Sequence, residues 1–403
     1  MTSYYVLRPI RDAMGVEGGV ENLPWLFTGT LVAMIAINPL FGLLVRRLSA
    51  QVFIPLVYVF FIFNLLGFGL LLGATEGAAR IWAGRAFFIW TSVFNLFVVS
   101  VFWMLMVDIV DTAQSKRLFG ILAAAASLGA ILGSSLAGFL ARGWSHSLLM
   151  AGAALLLCGA ILCVTQVFRI ARDLKGEEAV KLERQRIGGG IWAGLTHVAR
   201  SPYLLSIGFY ILLYAITSTF LYFQQAAIAQ SAFPSSGERR AFFAQVDLAV
   251  NVLTLLMQVF LTGRILKGLG IAASAAFLPL LTVGGYGILA AVPTIAVLVG
   301  FQVLRRVGNF GLSRPTREVL FTVVSREDKY KAKSVVDTVV YRLGDQVGSW
   351  SYALVSGLGT VGISLVGLVL AVLWTANAVW LGRRAESLAA EKARIGDSEV
   401  PVS

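Results

Sequence analysis

The stretch 301-FQVLRRVGNFGLSRPTREVLFTVVSREDKYKAKSVVDTVVYRLGD-345 decides the fold of this chain. It reads as two hydrophobic helices joined by a basic loop. Charges sit inside both helices: Arg305 and Arg306 in the first, Asp337, Arg342 and Asp345 in the second. A charge at the centre of a membrane helix costs about 3 kcal/mol or more, so such residues face a partner or a water-filled cavity. Apolar helices that carry charge imply a bilayer protein with a polar interior.

Composition agrees as the reading moves outward. The chain has 403 residues, 58% hydrophobic and 13% charged. A soluble domain carries about 25% charged residues, and the repeated apolar runs here reach the roughly 20 residues that a membrane helix needs. There are 33 Lys+Arg against 21 Asp+Glu, a net charge of +12. In a soluble chain that surplus would suggest nucleic acid; here the positive-inside rule accounts for it, and no nucleic-acid partner is expected. Cys158 and Cys163 share one hydrophobic helix but not one face, which argues against a disulfide or a metal pair. His146 and His197 fall in connections. No Ser-His-Asp, zinc or phosphate-loop pattern is present, and Gly188 to Gly190 lack the Lys-Ser/Thr of such a loop. The expectation is therefore a non-enzyme with no cofactor, no metal and no catalytic residue.

Taken in order, the first 15 residues read as the outer half of a membrane helix, so the chain is read as starting inside helix 1. Full spans follow near 23–45, 52–73, 82–108, 119–141 and 147–168. After a charged segment come 202–229, 241–263, 270–290, 293–313, 333–357 and 361–381. The expected organisation is an N-terminal bundle over 1–168, a linker over 169–200, a C-terminal bundle over 201–382 and a polar, mobile tail over 383–403. Placing the linker, the tail and the loops 2–3, 4–5, 8–9 and 10–11 on one side collects 23 of the 33 cations there. Four lie opposite and six inside the helices. This puts the linker and C-terminus in the cytoplasm.

A weak internal repeat supports two halves. Gly42-Leu-Leu-Val-Arg46-Arg47 parallels Gly263-Arg264-Ile-Leu-Lys267, each a glycine at a helix end followed by cations. Two pseudo-symmetric six-helix bundles around a midplane site are the major facilitator architecture. The fold expected is thus an all-α membrane protein of that type, with eleven full helices and a partial first one.

Further motifs point to one branch. Leu7-Arg8-Pro9-Ile10-Arg11-Asp12 resembles the first-helix motif of the ATP/ADP translocases of plastids and intracellular bacteria. Phe102-Trp103, Lys116-Arg117-Leu118-Phe119, and Lys331-Ala-Lys333 with Asp337 and Leu343-Gly344 are similar to the same family at matching spacing. The resemblance implies a nucleotide antiporter in which Arg11 stands where the carriers use a cation. It also marks two departures: the family's acidic position in helix 4 falls near Thr91, and a cation in helix 11 falls near Asp345.

By analogy with the superfamily, helices 1, 4, 7 and 10 line the cavity. Helix 1 offers Arg8, Arg11 and Asp12; Arg8 and Asp12 are four apart and can pair, leaving Arg11 for the substrate. Helix 4 offers Asn95, and Arg85 close enough to the outer end to snorkel. Helix 7 carries Tyr203, Tyr210, Tyr214, Thr217 and Gln224 on one stripe, either an aromatic wall for a ring or helix packing. Adjacent residues differ by about 100° on a helix, so one of Arg305 and Arg306 is expected in the cavity while the other pairs, with Asp345 as a candidate. Arg342 and Asp345, three apart, read as an internal pair. Asp337 is assigned to a gate with Lys333 or Arg314, and Lys116 and Arg117 to a cytoplasmic latch with Asp108 and Asp111. Gly129, Gly133 and Ala137, and likewise Gly344 with Gly348, are small residues four apart that let helices approach.

Six intramembrane arginines (8, 11, 85, 305, 306 and 342) face four aspartates (12, 247, 337 and 345), which leaves a positive interior. The planar guanidinium fork suits phosphate or carboxylate. The reading is a monomeric secondary transporter working in the lipid bilayer on a small anionic solute, ATP or ADP by the resemblance. The substrate set is Arg8, Arg11, Asn95, Tyr210, Tyr214, Arg305 and Arg306. The alternatives are a proton-coupled carrier of another organic solute, using an acid such as Asp247 or Asp345, and a non-transporting relative.

Overall fold

The computed structural model describes residues 1–109, 112–179, 201–324, 332–333 and 335–398. Side chains are described in these ranges except at 38, 40–46, 50, 103–104, 106–121, 123, 171–179, 267 and 392–398. No strand occurs among the described residues. In chain order the helices are α1 (Thr2–Glu17), α2 (Leu23–Arg47), α3 (Ala50–Ala74), α4 (Gly77–Ile109), α5 (Thr112–Leu140), α6 (His146–Ala179), α7 (Pro202–Ala232), α8 (Ser236–Phe260) and α9 (Thr262–Ala291). Next comes α10, built from Ile295–Gly308, a π-helical segment Asn309–Ser313 and Arg314–Leu320. A second π segment, Val336–Val340, opens α11 (Tyr341–Val355), and α12 is Gly359–Ser398.

Nine described stretches are long and apolar enough to cross a membrane. Burial runs in the sense a bilayer requires. Phe139 and Leu354 are each 87% exposed, while Arg305, Asp247 and Gln302 are buried. Lipid is as apolar as leucine, so the outward faces need no polar cover, and polar groups turn inward. The chain is a multi-pass membrane protein.

The helices cluster as two compact units: Met1–Ile187 with Ala226–Leu248, and Gly188–Gln225 with Ala249–Ser403. The first is organised on α1, which packs against α4, α5 and α6. Its core is aromatic, with the Phe61, Trp90 and Phe94 rings in mutual contact. Ser3 Oγ donates to Ala153 O on α6 at 3.0 Å, and Ser147 Oγ of α6 to Gly69 O on α3 at 2.6 Å. In the second unit α9 packs along α12, and α7 is tied to α12 by Ser206 and Asn377, with Ser206 Oγ donating to Asn377 Oδ1 at 2.7 Å.

The small residues do the same work in each unit. A Cβ on Gly133 of α5 would lie 2.8 Å from Tyr5 Cβ on α1. A Cβ on Gly348 of α11 would lie 3.0 Å from both Ile216 Cα and Thr219 Cβ on α7. The fifth helix thus closes on the first, and the eleventh on the seventh, which is the relation two repeated halves demand.

Several boundaries differ from the hydropathy reading: α5 begins at Thr112, and α6 runs on to Ala179, into the expected linker. α10 continues to Leu320, through residues expected in a basic loop. α9 begins at Thr262 and breaks at Gly270, whose φ of +75° only glycine takes without strain. α12 runs to Ser398, so the expected mobile tail is helical over 383–398. The segment RRAESLAAEKAR lacks Pro and Gly and is rich in strong helix formers. Its Ala385 is buried, and Glu386 Oε1 accepts from Ala272 N at 3.0 Å. Most of the expected linker, including His197 and Gly188 to Gly190, lies outside the described residues.

Gly348→Leu is expected to cost about 1–3 kcal/mol, because the new side chain meets α7 backbone rather than a movable group. Gly159→Leu, whose Cβ meets nothing within 4 Å, is the control. Thermal unfolding of the detergent-solubilised variants checks this; equal midpoints would contradict the close approach.

Candidate functional site

The first cluster of charge forms where α1 meets the middle of α8. Helical spacing puts Arg8, Arg11 and Asp12 within about one turn of each other. Asp247 comes from α8. Arg8 Nη1 stands 3.3 Å from Asp247 Oδ1, Arg8 Nε 3.9 Å from Asp12 Oδ2, and Arg11 Nε 3.6 Å from Asp12 Oδ1. The side chains of Asp12 and Asp247 are 5% and 3% exposed, while those of Arg8 and Arg11 keep 20% and 16%. The Arg11 guanidinium carbon lies 4.3 Å from the centre of the Phe88 ring on α4. A cation over a ring face is attracted by its quadrupole, and more so when water is scarce.

This alters the expected division of labour. Asp12 is nearer Arg11 than Arg8, and the closest carboxylate to Arg8 is Asp247. The sequence reading counted Asp247 among the intramembrane charges but did not place it beside helix 1. Nothing in local periodicity could do so, since the two residues meet only through tertiary packing.

The second cluster lies inside the second unit. Arg305 is 1% exposed, although it carries a full charge. Its Nη2 donates to Thr217 Oγ1 at 2.7 Å and to Tyr214 O at 3.0 Å, and its Nε to Thr282 Oγ1 at 3.3 Å. Its guanidinium carbon lies 5.0 Å from the Tyr214 ring centre and 5.8 Å from that of Trp374. Tyr286 OH donates to Thr217 O at 2.8 Å, closing the cage. Arg305 therefore joins α10 to α7, α9 and α12 through neutral acceptors and ring faces. The link to Asp345, expected of either Arg305 or Arg306, is not among the contacts of Arg305; Asp345 Oδ2 lies 3.2 Å from Arg342 Nη1 on the same helix. Arg306 is half-buried.

Tyr210 and Tyr214 belong to the same packing. Tyr210 OH lies 3.1 Å from both Ala275 O and Ser313 Oγ, and its ring meets Trp374 edge-on. The helix-7 stripe faces protein at Tyr203, Tyr210, Tyr214, Thr217 and Gln224, all buried. On α10 a polar row of Gln302, Arg305, Asn309, Ser313 and Thr316 is buried as well. Gln302 Nε2 donates to Gln225 Oε1 at 3.0 Å. The sequence reading overlooked Gln302, Asn309 and Ser313. Their spacing of three to four was visible, but the two arginines drew attention from it.

The remaining candidates are dispersed. Asn95 is half-buried on α4. Thr91 is fully buried and donates to Phe87 O of its own helix at 2.8 Å. Arg85 Nη2 donates to Gly18 O at 3.1 Å, beyond the end of α1, so it caps that helix end. Asp337 lies 3.8 Å from Arg317, and Lys333 pairs with Glu318, while the expected partners Lys333 and Arg314 act on Asp337 through charge. The extension of α10 past Ser313 brings Arg317 and Glu318 to that position. The side chains of Lys116 and Arg117, like those of Asp108 and Asp111, lie outside the described residues.

If Arg305 is a clamp, its loss should be felt as instability. Arg305→Ala is expected to lower unfolding stability by about 3 kcal/mol, since it opens a cavity and strips Thr217 and Thr282 of their donor. Arg305→Lys, which keeps one donor group, is expected to lose less. Thermal unfolding of the purified variants reads both, and a wild-type midpoint for Arg305→Ala would sink the clamp.

With this geometry in hand, comparison with known proteins is informative. The ADP,ATP carrier protein 1 of Chlamydia trachomatis is 22% identical over 339 residues, which cover 75% of this chain and 64% of the carrier's own length. The carrier of the same name from Chlamydia pneumoniae is 20% identical over 453 residues, covering 94% of this chain and 88% of that protein. Among solved structures, a bacterial homologue of the iron transporter ferroportin superposes with a TM-score of 0.65 at 12% identity, over 94% of this chain and 96% of that one. That likeness shows the major facilitator fold. The profile of the TLC ATP/ADP transporter family matches residues 75–389. Matched over more than half of its length, the chain belongs to the TLC ATP/ADP transporter family.

Proposed function

We propose that this protein is a secondary transporter that exchanges small nucleotide-like anions across the bacterial inner membrane by alternating access. The N-terminal bundle over 1–168 and the C-terminal bundle over 201–382 act as its two halves. The linker and C-terminus lie in the cytoplasm, as the distribution of basic residues favours. It works as a monomer.

The observation that carries the anionic substrate is Arg11. This guanidinium sits on α1, retains some exposure, and is backed by the Phe88 ring. An arginine in such a setting offers a fork matched to phosphate oxygens, in surroundings where each charge-assisted bond is stronger than in water. Arg8 supplies a second cation one turn away. Asp12 holds both arginines, which limits their rotamers before a ligand arrives and so lowers the entropy lost on binding. Arg305 fixes the helices of the second unit, and the tyrosines of α7 serve that packing.

A second reading, transport of another organic anion, is favoured by Thr91 and Asp345. Thr91 offers only a hydroxyl already bonded to its own helix, and Asp345 is paired with Arg342. Neither can reproduce the charge that the resemblance to nucleotide carriers implies at its position.

Counterflow in proteoliposomes separates the two. With ATP inside, labelled ADP is expected to enter saturably. Arg11→Ala is expected to reduce that entry by about tenfold or more, as loss of a charge-assisted phosphate contact would. Entry at the wild-type rate in Arg11→Ala would refute the role of Arg11. No entry in well-folded wild type would leave the organic-anion reading.

A further inference from the structure

The geometry points to Asp247 as an internal stand-in for the substrate: its carboxylate occupies Arg8 when no anion is bound, and a bound phosphate takes its place. The inference rests on the reading of the chain as an anion exchanger and names the residue that makes exchange obligatory.

Here two guanidinium groups face two carboxylates. The two carboxylates are attached differently. Asp12 is on α1, four residues from Arg8 and next to Arg11, and it stays with them whatever α1 does. Asp247 comes from α8, and it makes the shortest contact to Arg8, at 3.3 Å against 3.9 Å for Asp12. Asp247 is therefore the carboxylate that can leave without unwinding α1.

Its departure has a condition. Arg8 keeps only a fifth of its side chain exposed, so little water is at hand to replace a lost anion. Asp12, at 3.9 Å, then compensates Arg8 alone, and a largely buried cation that loses its closer carboxylate is left under-compensated, which is unfavourable. Separation of α8 from α1 becomes accessible when another anion is already at Arg8. A phosphate group meets the requirement: it carries negative charge and acceptor oxygens in the geometry that a guanidinium fork matches. When the anion leaves, Asp247 returns, and the empty carrier is held until the next one arrives. Such competition couples occupancy to movement, which distinguishes strict exchange from a leak.

The test compares exchange with net efflux in proteoliposomes loaded with labelled ADP, with and without external ATP. In the wild type, efflux without external nucleotide is expected to be far slower than exchange. Asp247→Asn removes the competing charge at nearly constant shape. It is expected to lower the half-saturating ADP concentration and to raise the efflux-to-exchange ratio, each by about tenfold, the scale on which close charge pairs couple. Asp247→Glu should restore the wild-type ratio. Asp12→Asn removes the same charge from the same cluster; it should lower half-saturation while keeping the ratio, because Asp12 cannot part from Arg8. An unchanged ratio in Asp247→Asn, or equal rises in Asp247→Asn and Asp12→Asn, would overturn the assignment. If the wild type exchanges no nucleotide, the nucleotide reading fails, and thermal unfolding with inorganic pyrophosphate decides the role of Asp247. Pyrophosphate should raise the midpoint of Asp247→Asn more than that of the wild type, and equal shifts would refute it.

Discussion

A guanidinium inside a bundle as thick as a membrane must be compensated by the protein itself. Water is not there to do it, and a charge left bare at that depth is costly. Most of what is distinctive in this chain follows from that constraint. Two solutions appear. Arg8 and Arg11 are matched by carboxylates. Arg305 is held by hydroxyls, a carbonyl and ring faces. Neutral groups solvate a charge without cancelling it. Such a cage loses its purpose if opened, whereas a charge-matched cluster can trade one partner for another.

The contrast assigns different work to the two units. In the first, charge is balanced by residues on separate helices, and Arg8 and Arg11 keep a measure of exposure. In the second, Arg305, Tyr210, Tyr214 and Trp374 interlock through bonds and ring contacts. Residue type alone would have placed the substrate at the deepest arginine. Burial argues the reverse, since the deepest arginine is the one least able to meet a solute.

Much of the fold was legible because hydropathy over about 20 residues is a strong signal in a bilayer protein. The spans from α2 to α8 agree with the expected ones to within a few residues at most ends. The small residues of α5 and α11 were legible too, since close helix approach leaves a spacing of four in the chain. What escaped had other causes. The π segments at Asn309–Ser313 and Val336–Val340 change the hydrogen-bond register without changing hydropathy. The continuation of α10 to Leu320 and of α12 to Ser398 runs through polar sequence, where a membrane scan stops but helix propensity does not. The contact between Arg8 and Asp247 was beyond reach, because which helix faces which is settled by packing. Arg305 is buried in an apolar helix; its acceptors come from α7 and α9 and a ring face from α12, and no local pattern could name them.

The continuation of α12 has a practical side. A hydropathy plot invites a cut near residue 382, since everything beyond looks like a dispensable polar tail. Yet Glu386, past that point, accepts from the backbone of Ala272 just after the break at Gly270. The carboxylate thereby caps a helix restart some hundred residues earlier in the chain. Shortening the protein there, or crowding the segment with a fused tag, would unfasten a joint in the ninth helix. The polar end of the chain belongs to the architecture as much as any membrane span.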